Sequence, residues 1–200
     1  MAAFASGARR SAWTGTAYLP TKLMIQSATH ATVEDLAAAA AYFSMLALRQ
    51  PRAQVIETNR IPKTRPVAWI YATTPVGGDE PLGLRIIEVP RNFELHELRD
   101  PKAEYVAYVP LGSIEAGRRL ATEGRGSTPP CAGCHGPQLL GLGSVPPIAG
   151  RSPTYLLRQL VAYRTGARAS EAGLPMRQVV EPLELADMIA VAAYAGSLPP

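Results

Sequence analysis

Cys131-Ala132-Gly133-Cys134-His135 is the stretch that decides the fold, and it contains both cysteines of the chain and one of its three histidines. C-x-x-C-H is the attachment signature of a c-type haem. The two thiols of such a motif form thioethers with the haem vinyl groups, and the adjacent histidine becomes the proximal ligand of the iron. The motif therefore predicts a covalent haem c, and a covalent haem favours a role in electron transfer.

Three other uses of a C-x-x-C pair have to be weighed. A thioredoxin-like dithiol expects a strand before the motif and a helix starting at it, whereas residues 127–130 (Ser-Thr-Pro-Pro) are typical of a loop. A structural zinc site needs four ligands, and the sequence has no second Cys/His pair. A plain disulfide in an oxidising compartment stays open.

Composition indicates one or two small domains with a packed core, since 47% of the 200 residues are hydrophobic and 18% are charged. The 19 prolines and 17 glycines favour short helices joined by turns. The net charge of +4 suits acidic redox partners, but no basic patch interleaved with aromatic residues points to nucleic acid. The longest apolar run, residues 36–48, is too short to span a bilayer, so no transmembrane segment is expected.

An internal repeat indicates a duplicated domain. Residues 24–46 align without a gap with residues 176–198, so that Met24 faces Met176 and Asp35 faces Asp187. Upstream of this alignment, a Gly-Ala-Arg triplet at 7–9 matches another at 166–168. Two unrelated alanine-rich helices would explain the matching alanines but not the paired methionines, so duplication is the better explanation.

The first copy has no haem motif in this chain, because the position that matches Cys131 would lie before Met1. Residues 1–10 also lack the charged start and apolar core of a signal peptide. Because c-type haems are attached outside the bacterial cytoplasm, we expect Met1 to be an internal methionine of a longer protein. Its upstream part would then carry the first motif and the signal peptide, and the location would be periplasmic.

Local patterns predict an all-α haem domain over residues 112–200. Ser113 is the expected N-cap of a helix over 114–123, just ahead of the cysteines. Ser152 is expected to cap a second helix with Pro153 at its first position. Apolar spacing predicts a last helix over 184–196 with one buried face.

Residues 49–111 are predicted to be an irregular, proline-rich connector. Its prolines exclude long helices, and residues 67–72, 84–89 and 105–109 are candidates for short strands. We expect an ordered connector packed against the haem domain, although a disordered linker is the alternative. Residues 1–48 would then be the C-terminal part of a truncated haem domain.

The order of several motifs resembles that of class I c-type cytochromes, and the nearest likeness is to tandem two-haem periplasmic carriers of the cytochrome c4 kind. The resemblance covers residues 112–200 in full and residues 1–48 as the back half of a first domain. The motifs that carry it are Cys131-x-x-Cys134-His135-Gly136, Pro146-Pro147-Ile148-Ala149-Gly150, Tyr155-Leu156-Leu157-Arg158-Gln159-Leu160, Gly166-Ala167-Arg168, Met176 and Ala192-Ala193-Tyr194.

The resemblance implies a role for each matching residue. His135 matches the proximal ligand of the iron, and Met176 matches the distal ligand, in a loop before the last helix. Pro146 matches the proline whose carbonyl accepts a hydrogen bond from the proximal imidazole. Arg151 and Tyr155 match positions that line the haem edge and meet the propionates.

The distal ligand has alternatives in the sequence. Met176 could be core filler, and His30 or His96 could ligate the iron instead.

The resemblance implies a one-electron carrier, because His/Met ligation leaves no open position on the iron. The alternatives are a peroxidase-like haem enzyme or sensor and a cytochrome subunit of a dehydrogenase or oxidase complex. The expected partners are a redox protein donor and acceptor, such as a membrane-bound oxidase or dehydrogenase.

Overall fold

A computed structural model describes residues 19–46, 50–67 and 70–200 of the chain. Within these ranges two helices come first, then a segment dominated by strands, then a helical domain. The helices are α1 (Leu19–His30), α2 (Val33–Met45), α3 (Phe93–Glu97), α4 (Ser113–Glu123), α5 (Ala132–His135), α6 (Pro153–Arg164), α7 (Leu174–Val180) and α8 (Leu185–Ser197). The strands are β1 (Gln54–Glu57), β2 (Arg60–Pro62), β3 (Thr64–Val67), β4 (Ile70–Thr73), β5 (Asp79–Pro81), β6 (Ile87–Pro90) and β7 (Tyr105–Val109).

The connector contains a three-stranded sheet and two strand pairs. In the sheet, β7 lies between β1, to which it is parallel, and β6, to which it is antiparallel. The strand pairs are β2 with β5 and β3 with β4, both antiparallel. Ile61, Leu82, Ile87 and Val89 bury against one another beneath them, so this segment has a small core of its own.

The structure agrees with two of the three strands predicted for the connector and differs from the third. Residues 105–109 form β7 as predicted, and residues 84–89 overlap β6. The prediction of one strand over 67–72 is wrong, because the chain folds back between β3 and β4. Both strands contain residues that favour extended backbone, so the sequence pattern does not mark where one ends and the other begins. The all-α prediction is therefore right in part: α4–α8 make up the C-terminal domain, but a sheet precedes them.

The C-terminal domain is organised around a close crossing of α4 and α8. A Cβ atom on Gly117 would lie 2.0 Å from the Ala190 carbonyl oxygen and 2.8 Å from the Tyr194 Cβ. Only a glycine allows the two helices to approach so closely. Most of α8 is buried as a result, which matches the predicted last helix within one residue at either end.

The first helix of this domain is capped from the connector. Gly112 is the N-cap residue, so the prediction that Ser113 caps the helix is wrong; Ser113 is its first residue and is buried. Gly112 has no side chain to offer, and the Glu57 carboxylate of β1 accepts the hydrogen bond from the Ile114 N–H at 2.7 Å instead. A carboxylate at a helix N-terminus also interacts favourably with the helix dipole.

The second predicted cap is confirmed. The Ser152 hydroxyl oxygen accepts a hydrogen bond from the Tyr155 N–H at 3.1 Å, and Pro153 occupies the first turn of α6. The same hydroxyl donates to the Glu88 carboxylate of β6 at 2.6 Å. The connector therefore holds the ends of both α4 and α6.

The described part of the connector is ordered and shares a core with the helical domain. The Arg52 N–H donates to the Gly150 carbonyl at 2.7 Å. Ile86 and Val109 bury against Ile189, with Val55 at the edge of the same cluster. These contacts exclude a disordered linker over the described connector residues.

The N-terminal helix pair is largely unburied. No residue of α2 is buried, and Tyr42, Phe43 and Met45 are more than half exposed. Shifted by 152 residues, α2 coincides with α8, and both begin with a capping box whose third helical residue is an aspartate. The Gly-Ala-Arg triplet at 7–9 and the end of the 36–48 run lie outside the described residues. Among the helices that are described, none combines the length and the apolarity needed to cross a bilayer.

Candidate functional site

The C-x-x-C-H motif forms one short helical turn. Cys131 is the N-cap residue of α5, and its carbonyl accepts a hydrogen bond from the His135 N–H at 2.9 Å. Cys131 is half-buried and Cys134 is exposed. Side chains three residues apart on a helix lie on neighbouring positions of one face. The two thiols are therefore placed to bond to one planar group.

His135 is buried and its ring is oriented by the backbone. His135 is only 6% exposed, and its Nδ1 lies 2.8 Å from the Pro146 carbonyl oxygen. A carbonyl can only accept, so Nδ1 carries the hydrogen and Nε2 keeps its lone pair. This is the arrangement that prepares a histidine for a metal on Nε2, with ring orientation and basicity set by the carbonyl.

A tight loop carries Pro146 to the histidine. The Gly141 N–H donates to the His135 carbonyl at 2.8 Å. Gly141 has φ +89°, and a Cβ there would lie 2.8 Å from the Val145 carbonyl oxygen. Leu139 is buried with φ +59°, and its carbonyl accepts from the N–H groups of Ile148 and Ala149. Sequence reasoning missed Leu139 and Gly141; the glycine-rich composition of 136–150 was the only signal for them.

The alternatives for the cysteine pair find no support. The two thiols are not bonded to each other. Burial raises the pKa of the Cys131 thiol, whereas reactive redox dithiols have a lowered pKa. Within the described ranges, no group of three or more His, Cys, Asp or Glu side chains is placed to hold a metal ion.

Met176 lies on a helix rather than in the predicted loop. Leu174–Val180 is helical, and Pro175 in its first turn accounts for this, because proline favours the start of a helix. The Met176 side chain is half-buried at the edge of a cluster that Cys131 also contacts. The buried members of that cluster are Leu120, Tyr163, Val180, Leu183, Met188 and Val191.

The two other candidate ligands have different partners. His30 is on the exposed surface of α1, where Nδ1 lies 2.7 Å from the Gln26 carbonyl oxygen. His96 lies in the connector, where Nδ1 is 2.8 Å from the Tyr105 hydroxyl. The His30 Nδ1 bonds to a backbone carbonyl, as the His135 Nδ1 does, but His30 is exposed whereas His135 is buried; the His96 Nδ1 bonds to a side-chain hydroxyl instead.

Arg151 and Tyr155 flank the start of α6. Arg151 is half-buried, and its N–H donates to the Ile148 carbonyl at 3.4 Å. Tyr155 is 53% exposed. Neither side chain makes a hydrogen bond to the C-x-x-C-H residues, so their predicted roles at the haem edge stay predictions.

The donor set fits haem c. Two neighbouring thiols can form the thioethers, the His135 Nε2 is free to ligate iron, and apolar clusters border the motif. A helical domain with such a site defines a c-type cytochrome.

Comparison with known proteins agrees with this class. Over 145 residues the chain is 30% identical to cytochrome c4 of Azotobacter vinelandii, which corresponds to 64% of this chain and 68% of that protein. Over 98 residues it is 37% identical to a thiosulfate dehydrogenase electron acceptor of Stutzerimonas stutzeri, with 46% of this chain and 45% of that protein covered. The chain thus spans less than half the length of the second relative. No protein-family model matches it.

A solved structure of cytochrome c4 from Acidithiobacillus ferrooxidans shows the same fold. Its TM-score is 0.57 at 18% identity, and the superposition covers 98% of this chain and 79% of that one. The C-terminal domain accordingly has the class I cytochrome c fold. The chain belongs to the cytochrome c4 family of electron-transfer proteins, and its cofactor is covalently bound haem c with its iron.

Proposed function

We propose that this protein is a periplasmic one-electron carrier with one haem c in the described domain, attached to Cys131 and Cys134 and ligated by His135 and Met176. The hydrogen bond from His135 Nδ1 to the Pro146 carbonyl carries the proposal, because it leaves Nε2 for iron. Bound haem c supplies an iron that cycles between the ferric and ferrous states. The chain holds the group covalently, orients the histidine and excludes water from its buried side.

The distal assignment to Met176 rests on packing. Met176 and Cys131 contact the same buried cluster. The Met176 sulfur therefore lies on the side of the domain that a haem attached to Cys131 would cover. A soft thioether ligand favours ferrous iron and raises the reduction potential. With His135 and Met176 as its protein ligands, the iron would keep no position for oxygen or peroxide, which favours a carrier over a peroxidase-like enzyme.

A second candidate is a cytochrome subunit of a dehydrogenase complex. The relative named as a thiosulfate dehydrogenase electron acceptor favours it. Donor and acceptor are redox proteins in both cases. Haem attachment, which occurs outside the bacterial cytoplasm, supports the proposed periplasmic location.

The proposed distal ligand is tested by Met176→Ala. In protein matured with a secretion signal, we expect the iron–thioether absorption band to disappear and the reduction potential to fall. The fall should be a substantial part of the roughly 0.8 V that axial ligands span. Redox titration and the optical spectrum measure both effects. Met24→Ala is the matched control and should change neither; the opposite pattern would make the assignment of Met176 wrong.

We further propose that residues 1–48 are the back half of a first cytochrome c-like domain. The coincident bounds and capping boxes of α2 and α8 support this. In α8 the residues equivalent to Ala38 and Phe43 are Ala190 and Ala195, which are buried, whereas Ala38 and Phe43 are exposed. The helix that covers α8 is α4, and α2 has no equivalent neighbour among the described residues.

Residues 19–46 should consequently be the least stable described part of the chain. Each large apolar side chain left in water forgoes about 1.5–3 kcal/mol of burial. In hydrogen exchange of the haem-loaded protein, α2 should open with a free energy near zero, far below that of α8. Limited proteolysis should remove this segment first and leave a haem-bearing fragment. Equal protection of α2 and α8 would refute the prediction.

A further inference from the structure

We propose that a pocket in the connector binds a small organic carboxylate, with Arg52 and His96 as its polar ligands. The pocket has a volume of about 510 Å³ and lies between the β3–β4 hairpin and the segment from α3 to β7. Ligand sites of small molecules usually measure several hundred Å³ and combine apolar walls with a few convergent polar groups. The helical domain that binds haem contributes nothing to its lining.

Tyr105 brings the two polar groups together. The Arg52 guanidinium lies over the Tyr105 ring, with its central carbon 4.4 Å from the ring centroid. His96 meets the other end of the same tyrosine, where Nδ1 is 2.8 Å from the hydroxyl. The two rings stand perpendicular at 5.9 Å between centroids. Both side chains are thus held next to one wall of the pocket.

Both groups keep hydrogen-bonding atoms that have no described partner. Arg52 has no carboxylate partner among the described residues, so its planar fork is available for a bidentate acceptor. The hydrogen bond of His96 to Tyr105 occupies Nδ1 only and leaves Nε2 without a described partner. When the Tyr105 hydroxyl donates to Nδ1, the His96 Nε2–H can donate as well. A guanidinium fork and an imidazole N–H that contact the same tyrosine suit a carboxylate better than a neutral group.

The remaining walls suit the apolar body of such an acid. Val67 and Ile70 line one side, and Phe93 lies 6.1 Å from the His96 ring by centroids. These side chains are half-buried, so a ligand would cover apolar surface that water now contacts. An aromatic or branched aliphatic acid matches this combination better than an inorganic anion does.

Two acids and a second arginine also line the pocket, and the acids define the rival ligand, an organic cation. The Asp100 carboxylate accepts from the Lys102 N–H at 2.7 Å, and Arg99 donates to the His96 carbonyl at 3.0 Å, so both have local partners. Glu97 is exposed. If the acids dominated, the pocket would prefer an organic cation.

Calorimetric titration of the full, haem-loaded protein tests the proposal with three benzene derivatives of similar size that differ in charge. Benzoate should bind saturably at one site, while neutral benzamide and cationic benzylamine should bind at least about tenfold more weakly, because charge-assisted hydrogen bonds are lost. Arg52→Gln should weaken benzoate by about tenfold or more. Arg52→Lys should weaken it less, since it keeps the charge and loses only the fork.

Arg65→Gln is the matched control. Arg65 is an exposed arginine of β3 that does not line the pocket, so its loss should leave benzoate binding unchanged. The proposal is overturned if millimolar benzoate shows no saturable binding, if benzamide or benzylamine binds as well, or if Arg52→Gln behaves like Arg65→Gln. Tighter binding of benzylamine would identify a cation site instead.

Discussion

Gly117→Ala will destabilise the C-terminal domain by about 3 kcal/mol, at the upper end of overpacking costs. The new Cβ would lie 2.0 Å from the Ala190 carbonyl oxygen and 2.5 Å from the carbonyl carbon. Both are backbone atoms of a buried helix, so neither can rotate away as a flexible side chain would. The helices must separate, and the gain of up to about 1 kcal/mol in helix propensity offsets only part of this cost. Urea unfolding of the haem-loaded protein measures the change.

Thr122→Ala is the control for this variant. Thr122 is exposed on the same helix, and its replacement should change the free energy of unfolding by no more than about 0.5 kcal/mol. If Gly117→Ala unfolded at the same urea concentration as Thr122→Ala, the close crossing of α4 and α8 would not exist in solution.

Substitution of the C-x-x-C-H side chains will abolish or strongly reduce covalent haem attachment. The double change Cys131→Ala and Cys134→Ala removes both thioether bonds, so no haem should survive denaturing electrophoresis. Either single change leaves one bond at most. His135→Ala removes the proposed proximal ligand. Any haem that is still attached should then lose the visible absorption spectrum of the histidine-ligated form. Haem staining, with protein quantified on the same gel, gives the haem content.

The unaltered protein and a histidine control variant give the reference haem content for that experiment. Unaltered protein, matured in a periplasm, should carry one haem per chain on Cys131 and Cys134. His30→Ala should behave identically, because the His30 ring bonds only to its own helix. Two haems per chain, or none in the unaltered protein, would contradict the proposed function.

The sequence was sufficient where a feature depends on neighbours along the chain. The C-x-x-C-H motif is complete within five residues, and the start of α6 follows from Ser152 and Pro153. The bounds of β7 follow from a short run of valines and tyrosines between prolines. In each case the residues that decide the structure are close enough to be seen in one window.

Features that depend on distant residues were not predictable. The cap of α4 comes from Glu57, which is 57 residues before Ile114, whereas the local sequence predicts Ser113 as the cap. Gly117 gave no signal, because a glycine in a helix pattern is equally compatible with an exposed site. The antiparallel pairing of β3 with β4 was not predictable, because both strands contain residues that favour extended backbone and the pattern shows no break between them.

The same Glu57 contact determines the N-terminal boundary at which this haem domain can be transferred into another protein. A cassette that starts at residue 112 would lose the Glu57 carboxylate at α4 and the Glu88 carboxylate at Ser152. It would also uncover the apolar surface that Val55, Ile86 and Val109 share with α8. A designer who grafts this cytochrome onto another scaffold should therefore begin the graft at residue 50, with the sheet as an integral part of the module.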